Sequence, residues 1–128
     1  MKLLLDTHVW LWALQASSRL NPRVRAELRN SANELWLSPV STWEALLLNA
    51  RGRIRLPVNL ALWLVQATAP LREAPFTHDI VLTAEQLPLP HRDPADRFLA
   101  ATALVMDLTL VTSDDVLLGL GTIRTMKN

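Results

Sequence analysis

Four carboxylates in this 128-residue chain stand where chemistry is possible: Asp6, Glu44, Asp96 and Asp114. Each also has a purely structural use. Ser41 followed by Glu44 has the spacing of a capping box. Asp96 falls in the first turn of a helix, where negative charge suits the helix dipole, and Asp93 can cap that helix. Asp114 and Asp115 can form a turn or cap after a strand. As a set the acids say more. Asp6 ends the apolar run Leu3–Leu5, where packing has no need of a charge. Carboxylates brought together repel one another, and such a cluster persists mainly where cations neutralise it. Oxygen donors without Cys or paired His favour hard cations, Mg²⁺ or Mn²⁺. Ions held this way serve in-line phosphodiester chemistry: they lower the pKa of an attacking water and stabilise the leaving oxygen.

The elements that must position these acids alternate strand and helix. Leu3–Leu5 reads as a buried strand, and Thr7 as the cap of a helix running through Leu14. Asn21-Pro22 opens a second helix, to about Asn30. Leu35–Leu37 is a second strand. A helix begins at Ser41–Glu44 and ends at Arg51-Gly52. Pro57-Val58-Asn59 precedes a helix to about Thr68, closed before Pro70. A weak strand spans Leu71–Ala74, and Thr77 caps a short helix through Glu85. Asp93-Pro94 starts a strong helix to Met106. Leu108–Thr112 is the clearest strand, rich in apolar and β-branched residues, and a short strand near Thr122–Arg124 finishes the chain. Such alternation implies a parallel sheet covered on both faces. Ligands of these sheets bind beyond the carboxyl ends of the strands. Asp6 and Asp114 are therefore expected on one edge, with Glu44 and Asp96 reaching it from first helical turns.

Composition narrows the class. Half the residues are hydrophobic and a fifth are charged, the balance of a globular protein, here read as one domain over residues 1–128. No cysteine is present, which excludes a disulfide scaffold, a Cys-based metal site and a Cys nucleophile, and fits a reducing cytoplasm. The net charge of +1 forces no nucleic-acid partner by bulk electrostatics, so any such contact needs a local site. The longest apolar runs, Val9–Leu14 and Leu60–Val65, fall well short of the roughly 20 residues of a membrane span. The expectation is a soluble, cytoplasmic protein with no membrane partner.

Four stretches in order carry a family resemblance: LLLDTHVWLWAL (3–14), LSPVSTWEALLL (37–48), LPLPHRDPADRFLAA (87–101) and LTLVTSD (108–114). Together they resemble the PIN-domain ribonucleases, and within them the VapC-type toxins of bacterial toxin–antitoxin pairs. The resemblance spans essentially the whole chain. It implies a three-layer α/β/α sandwich around a mostly parallel sheet, and Mg²⁺- or Mn²⁺-dependent endonucleolytic cleavage of RNA. By the same resemblance Asp6 is the first metal-binding acid, and Glu44 is the helix-borne acid of the stretch with Ser38 and Ser41. Asp96 is the second acid of Asp-Pro-x-Asp-Arg, and Asp114 the acid after the fourth strand, with Asp115 beside it as a rival. The implied partners are a cognate antitoxin and a second copy of the chain. Two positions depart from the pattern. Ala95 stands where relatives often carry a bulky aromatic, and Leu48 where many have Lys; neither belongs to the acid set.

Other residues have weaker claims. Thr7 and Thr112 flank the expected site and suit a metal-bound water or a phosphate, or equally a cap and a strand end. Ser41 suits the orienting of Glu44. Arg97 suits a phosphate or an ion pair, and His91 and Arg92 suit an RNA-facing position. His8, His78 and His91 show no metal-ligand spacing. Arg51, Arg53 and Arg55 share one face of an extended chain, with solvent as their default neighbour. Trp10 and Trp12 cannot face the same way on a helix, so one belongs in the core and the other toward an interface. Two further readings stand beside the nuclease. One is a haloacid-dehalogenase-type phosphatase, although position 8, where that class carries a second Asp, is His. The other is a non-catalytic PIN-like module that binds RNA or protein.

Overall fold

Leu3, Leu4 and Leu5 are all buried, as a strand covered on both faces requires. They lie in β1 (Lys2–Leu5), the middle strand of the computed structural model, which describes residues 1–90 and 93–128; His91 and Arg92, two of the candidates above, lie outside the described residues. The chain continues through α1 (Thr7–Leu14), α2 (Pro22–Arg29), β2 (Glu34–Leu37), α3 (Pro39–Ala50) and α4 (Leu60–Thr68). There follow β3 (Arg72–Glu73), α5 (His78–Gln86), α6 (Pro94–Val105), β4 (Thr109–Thr112), α7 (Asp115–Leu118) and β5 (Arg124–Lys127). The five strands pair in parallel in the order β3-β2-β1-β4-β5.

Successive strand side chains point to opposite faces, and β1 divides the core accordingly. Leu4 joins Leu110 with Ile80 and Ala84 of α5, Leu99 and Ala100 of α6, and Leu117 of α7. Leu3 and Leu5 join Val111 with Val9 and Trp10 of α1, Val24 of α2, Ala45 of α3 and Ala67 of α4. The result is the α/β/α sandwich expected from the sequence, with every strand pairing parallel. The small inner side chains Ala100, Ala101 and Ala103 let α6 lie close on the sheet. β1 has β2 on one side and β4 on the other. The order of strands therefore reverses at β1, and the crevice beyond the carboxyl ends of β1 and β4 is the topological switch point.

Several boundaries differ from the sequence expectation, each for a local reason. Asp6, not Thr7, is the N-cap of α1. α3 begins at Pro39, because Ser38 caps it by accepting from the Val40 N–H and Pro suits the first helical position. Ser41 and Glu44 thus form no capping box, and Glu44 lies beyond the first turn. The last strand is Arg124–Lys127 instead of Thr122–Arg124, in register with Thr109–Thr112. Asp114 caps one further turn of helix, α7. Gly52, with φ of +70°, closes the end of α3 in a conformation that costs other residues energy.

Candidate active site

Asp6 is the first residue past β1 and is only 9% exposed. Its backbone N–H donates to Val111 O (3.0 Å), which ties it to β4. Its carboxylate is held from both sides: Oδ1 accepts from the Thr7 N–H (2.7 Å), and Oδ2 accepts from Thr112 Oγ1 (2.7 Å). The same Thr112 oxygen accepts from the Asp114 N–H (3.0 Å). One buried hydroxyl at the end of β4 therefore sets the spacing of two acids. Asp114 Oδ1 accepts from the Val116 and Leu117 N–H groups (2.8 and 3.1 Å), as the cap of α7.

Glu44 reaches the same place from α3. Thr7 Oγ1 donates to Glu44 Oε1 and is also hydrogen-bonded to Ser41 Oγ (2.9 Å). Ser41 is fully buried, so a rigid hydroxyl pair aims the carboxylate. Asp96 stands in the first turn of α6, whose cap is Asp93; Asp93 Oδ1 accepts from the Ala95 N–H (3.0 Å). Asp6, Glu44, Asp93, Asp96 and Asp114 all line one open cavity of about 310 Å³, with His8 and Trp12 on its wall.

The electrostatics follow from this convergence. Burial is the largest cause raising the Asp6 carboxyl above its ordinary value, and it outweighs the bonds from Thr112 and Thr7 that favour the charged form. Burial likewise raises Glu44, with repulsion from Asp6 and Asp93 added, against the lowering effect of the Thr7 bond. Asp96 is pushed up to about 7, first by burial and then by the charges of Asp93, Asp6, Asp114 and Glu44. Opposite charge placed in this cavity would relieve all three.

The donors are carboxylates and hydroxyls, which suit a hard cation. Among the described residues, no three Asp, Glu or His side chains are gathered tightly enough to ligate one ion directly. Magnesium usually keeps several waters and takes only one or two carboxylates, a requirement that acids facing each other across an open cavity meet.

The structure brings Asp6, Glu44, Asp96 and Asp114 to one cavity and places Thr7, Ser41 and Thr112 against them. Asp115 is exposed and does not line the cavity; Asp114 does. Arg97 is corrected. Its guanidinium donates to the carbonyls of Ala84 (2.7 Å), Leu87 (3.3 Å) and Leu89 (3.1 Å), so it fastens the segment after α5 instead of meeting a phosphate or an acid in an ion pair. Leu48 packs against the core. Arg51, Arg53 and Arg55 are all exposed around the half-buried Ile54. Asp93 is the lining acid that sequence reasoning left as a cap. Its signal is the spacing to Asp96, since residues three apart on a helix share a face.

An α/β/α sandwich with acids gathered at the switch point of its parallel sheet is the class that fold and cavity define. The PIN domain family model matches residues 3–120, and the chain belongs to that family. It is 34% identical over 112 residues to ribonuclease VapC22 of Mycobacterium tuberculosis, covering 87% of this chain and 85% of that one. In fold it is similar to VapBC2 of Rickettsia felis, solved bound to a promoter DNA fragment (TM-score 0.75, 15% identity, covering 100% of this chain and 99% of that chain). It is also similar to DNA-bound VapBC of Salmonella typhimurium (TM-score 0.73, 17% identity, 99% and 98% covered). Family membership sets the phosphatase reading aside.

Proposed function

We propose that this chain is a metal-dependent endoribonuclease acting as the toxin of a toxin–antitoxin pair, and that it hydrolyses RNA phosphodiesters at the acid-lined cavity. The observation that carries the reading is the convergence of Asp6, Glu44, Asp96 and Asp114 on one cavity, in a chain one-third identical to a ribonuclease. These four acids would hold Mg²⁺ or Mn²⁺, with Asp93 on the rim. A divalent ion bound there supplies an activated water and neutralises charge on the phosphate. The chain's own part is positional. Thr112 and the Thr7 N–H fix both oxygens of Asp6. Thr7, backed by Ser41, fixes Glu44. The cap of α7 fixes Asp114. Such fixed partners are what hold ligands within the tolerance a site requires.

The partners in this reading are an RNA substrate, a cognate antitoxin protein and a second copy of the chain. Exposed apolar side chains support protein partners: Trp43 on α3 and Leu62 and Val65 on α4 are each more than half exposed. Among the described residues no helix is long and apolar enough to cross a membrane, and a cytoplasmic location suits an RNA substrate.

The test is cleavage of end-labelled total RNA by the purified protein and by Asp6→Asn, with Mg²⁺, Mn²⁺ or a chelator. Discrete cuts that need both the metal and Asp6 are expected. An Asp6→Asn protein that stays folded and cuts as the parent does would overturn the reading. Expression of the chain alone is expected to arrest growth, and co-expression with a cognate antitoxin to restore it.

A further inference from the structure

We propose that the His8–Trp12 ring pair, on the wall of the acid-lined cavity, is the stacking surface for an unpaired nucleobase next to the phosphodiester that is cut. This rests on the nuclease reading above and extends it to how the substrate is gripped. Asp6 is the N-cap of α1, so the first turns of the helix leave directly from the site. His8 and Trp12 are four residues apart and lie on the same helix face. Both line the cavity that holds Asp6. Their ring centroids are 5.7 Å apart with planes tilted by 31°, in contact as one aromatic pair. His8 is exposed and Trp12 half-buried.

Trp10 shows what a tryptophan serving only the core looks like on this helix. It is 1% exposed, and its indole N–H donates to Ala67 O (3.2 Å). Trp12, two residues on, instead keeps aromatic surface at the cavity. The Arg19 guanidinium lies over the Trp12 ring, 6.0 Å from its centroid, so the surface left for a base is the exposed His8 ring and the part of Trp12 that lines the cavity.

The chemistry of the cavity says why rings are useful there. Five carboxylates line it, and an RNA backbone brings like charge. The face of a base carries no net charge and stacks on aromatic side chains with little regard to sequence. A helix rises 1.5 Å per residue, so Trp12 stands about 9 Å along α1 from Asp6, a distance that the base of a neighbouring nucleotide can cover from the scissile phosphate. A stacking wall takes only bases that are splayed out, so the expected targets are loops and single strands.

The experiment compares two probes of equal charge: a fluorescein-labelled, unstructured RNA dodecamer of mixed sequence, and its twin with abasic riboses throughout. Binding is read by fluorescence anisotropy with Mg²⁺ present, in the Asp96→Asn background that keeps the probes intact. The base-bearing probe is expected to bind roughly tenfold tighter than its twin or better. Adding Trp12→Leu, which keeps apolar bulk against the core, should bring that ratio within about twofold of unity, and Trp12→Phe should retain most of it. Circular dichroism and thermal melts confirm that both variants fold. A ratio unchanged by Trp12→Leu, or a ratio of one before substitution, overturns the stacking wall. Failure of the parent protein to cut any RNA with Mg²⁺ or Mn²⁺ overturns the nuclease reading itself. Metal-dependent cutting with an unaltered ratio overturns only the stacking wall.

Discussion

At the amino-terminal end of the sheet, acids sit beside arginines. Asp107 Oδ1 is 2.8 Å from Arg124 Nη2, and Glu34 Oε1 is 3.7 Å from Arg72 Nε. At the carboxyl end, acids are held by hydroxyls and backbone N–H groups: Asp6 by Thr112 and Thr7, Glu44 by Thr7, Asp114 by two amides of its helix. The first arrangement is exposed, tolerant of geometry and worth about 0–1 kcal/mol per pair. The second is buried or half-buried, and burial raises the Asp6, Glu44 and Asp96 carboxyls above their ordinary values despite the bonds that favour the charged forms of Asp6 and Glu44. Hydroxyls and amides orient a carboxylate but leave its charge in place. An end that served only stability would gain nothing by collecting like charges on Asp6, Glu44 and Asp96. Costly charge held in a fixed orientation is the pattern of a candidate functional site, which is the reading proposed for this end.

The largest effect is expected where the comparison is broken most directly. Asp96→Asn keeps shape and removes one charge from the carboxyl end. RNA cleavage should fall by at least ~100-fold, the scale of several kcal/mol of lost charge stabilisation. In a chelator and above pH 7, where Asp96 carries its charge, the same variant should melt at a higher temperature than the parent, because repulsion from Asp93, Asp6, Asp114 and Glu44 is relieved. Gel-based cleavage rates and calorimetry on one preparation check both halves. A folded variant with full activity would show that the cluster is not the site.

A smaller effect is expected from the groups that orient the acids. Thr112→Val keeps the side-chain size and deletes the hydroxyl that bonds both Asp6 Oδ2 and the Asp114 N–H. The Mg²⁺ or Mn²⁺ concentration needed for half-maximal cleavage should rise about 10–100-fold, the usual cost of removing such a partner. Titration of cleavage against metal measures it.

Much of this was legible in the residues. Leu3–Leu5 ending in Asp6 announced a buried strand with a misplaced charge, and the strands, paired parallel, put its carboxyl end beside that of β4. The helix starts at Asn21-Pro22, Thr77 and Asp93-Pro94 carry their caps in the sequence, and the structure uses each of them. What was not legible depended on competition among neighbours. Ser38 and Ser41 are both good caps, and Pro39 decides between them by fitting the first helical position. Arg97 beside Asp96 reads as a site residue until Ala84 of α5 and Leu87 and Leu89 beyond it supply three carbonyls to it. Asp93 hid behind its capping role, because a side chain can cap a helix through one oxygen and still line a cavity. Tertiary partners, not local propensity, made these choices.

The metal-free protein should also sense pH through the carboxyl end. Asp96 titrates at about 7 in the fold and near the ordinary carboxylate range when unfolded. The folded state therefore binds its proton more tightly. That contribution to stability is fully present below the unfolded value and is lost as pH rises through about 7. In a chelator, the melting temperature of the parent should fall between pH 5 and pH 8, and Asp96→Asn should flatten the fall. Equal slopes in the two proteins would show that Asp96 is not the group responsible.

The smallest effect belongs at the amino-terminal end. Arg124→Ala removes the bonds from Nη2 to Asp107 Oδ1 (2.8 Å) and to Asp107 O (3.0 Å), from side chains that are 63% and 84% exposed. An exposed pair of this kind contributes about 0–1 kcal/mol, so the melting temperature should move by a few degrees at most. Cleavage of RNA should not change, because the strands carry this pair to the opposite end of the sheet from Asp6. Raising the salt concentration should shrink the stability difference further, as screening does for exposed charges. The same salt series on Asp96→Asn should leave its difference from the parent larger, since buried charges are screened less. If Arg124→Ala instead lowered cleavage while the protein stayed folded, charge at the two ends would be coupled through β4 and β5, and the contrast between a structural and a functional end would have to be given up.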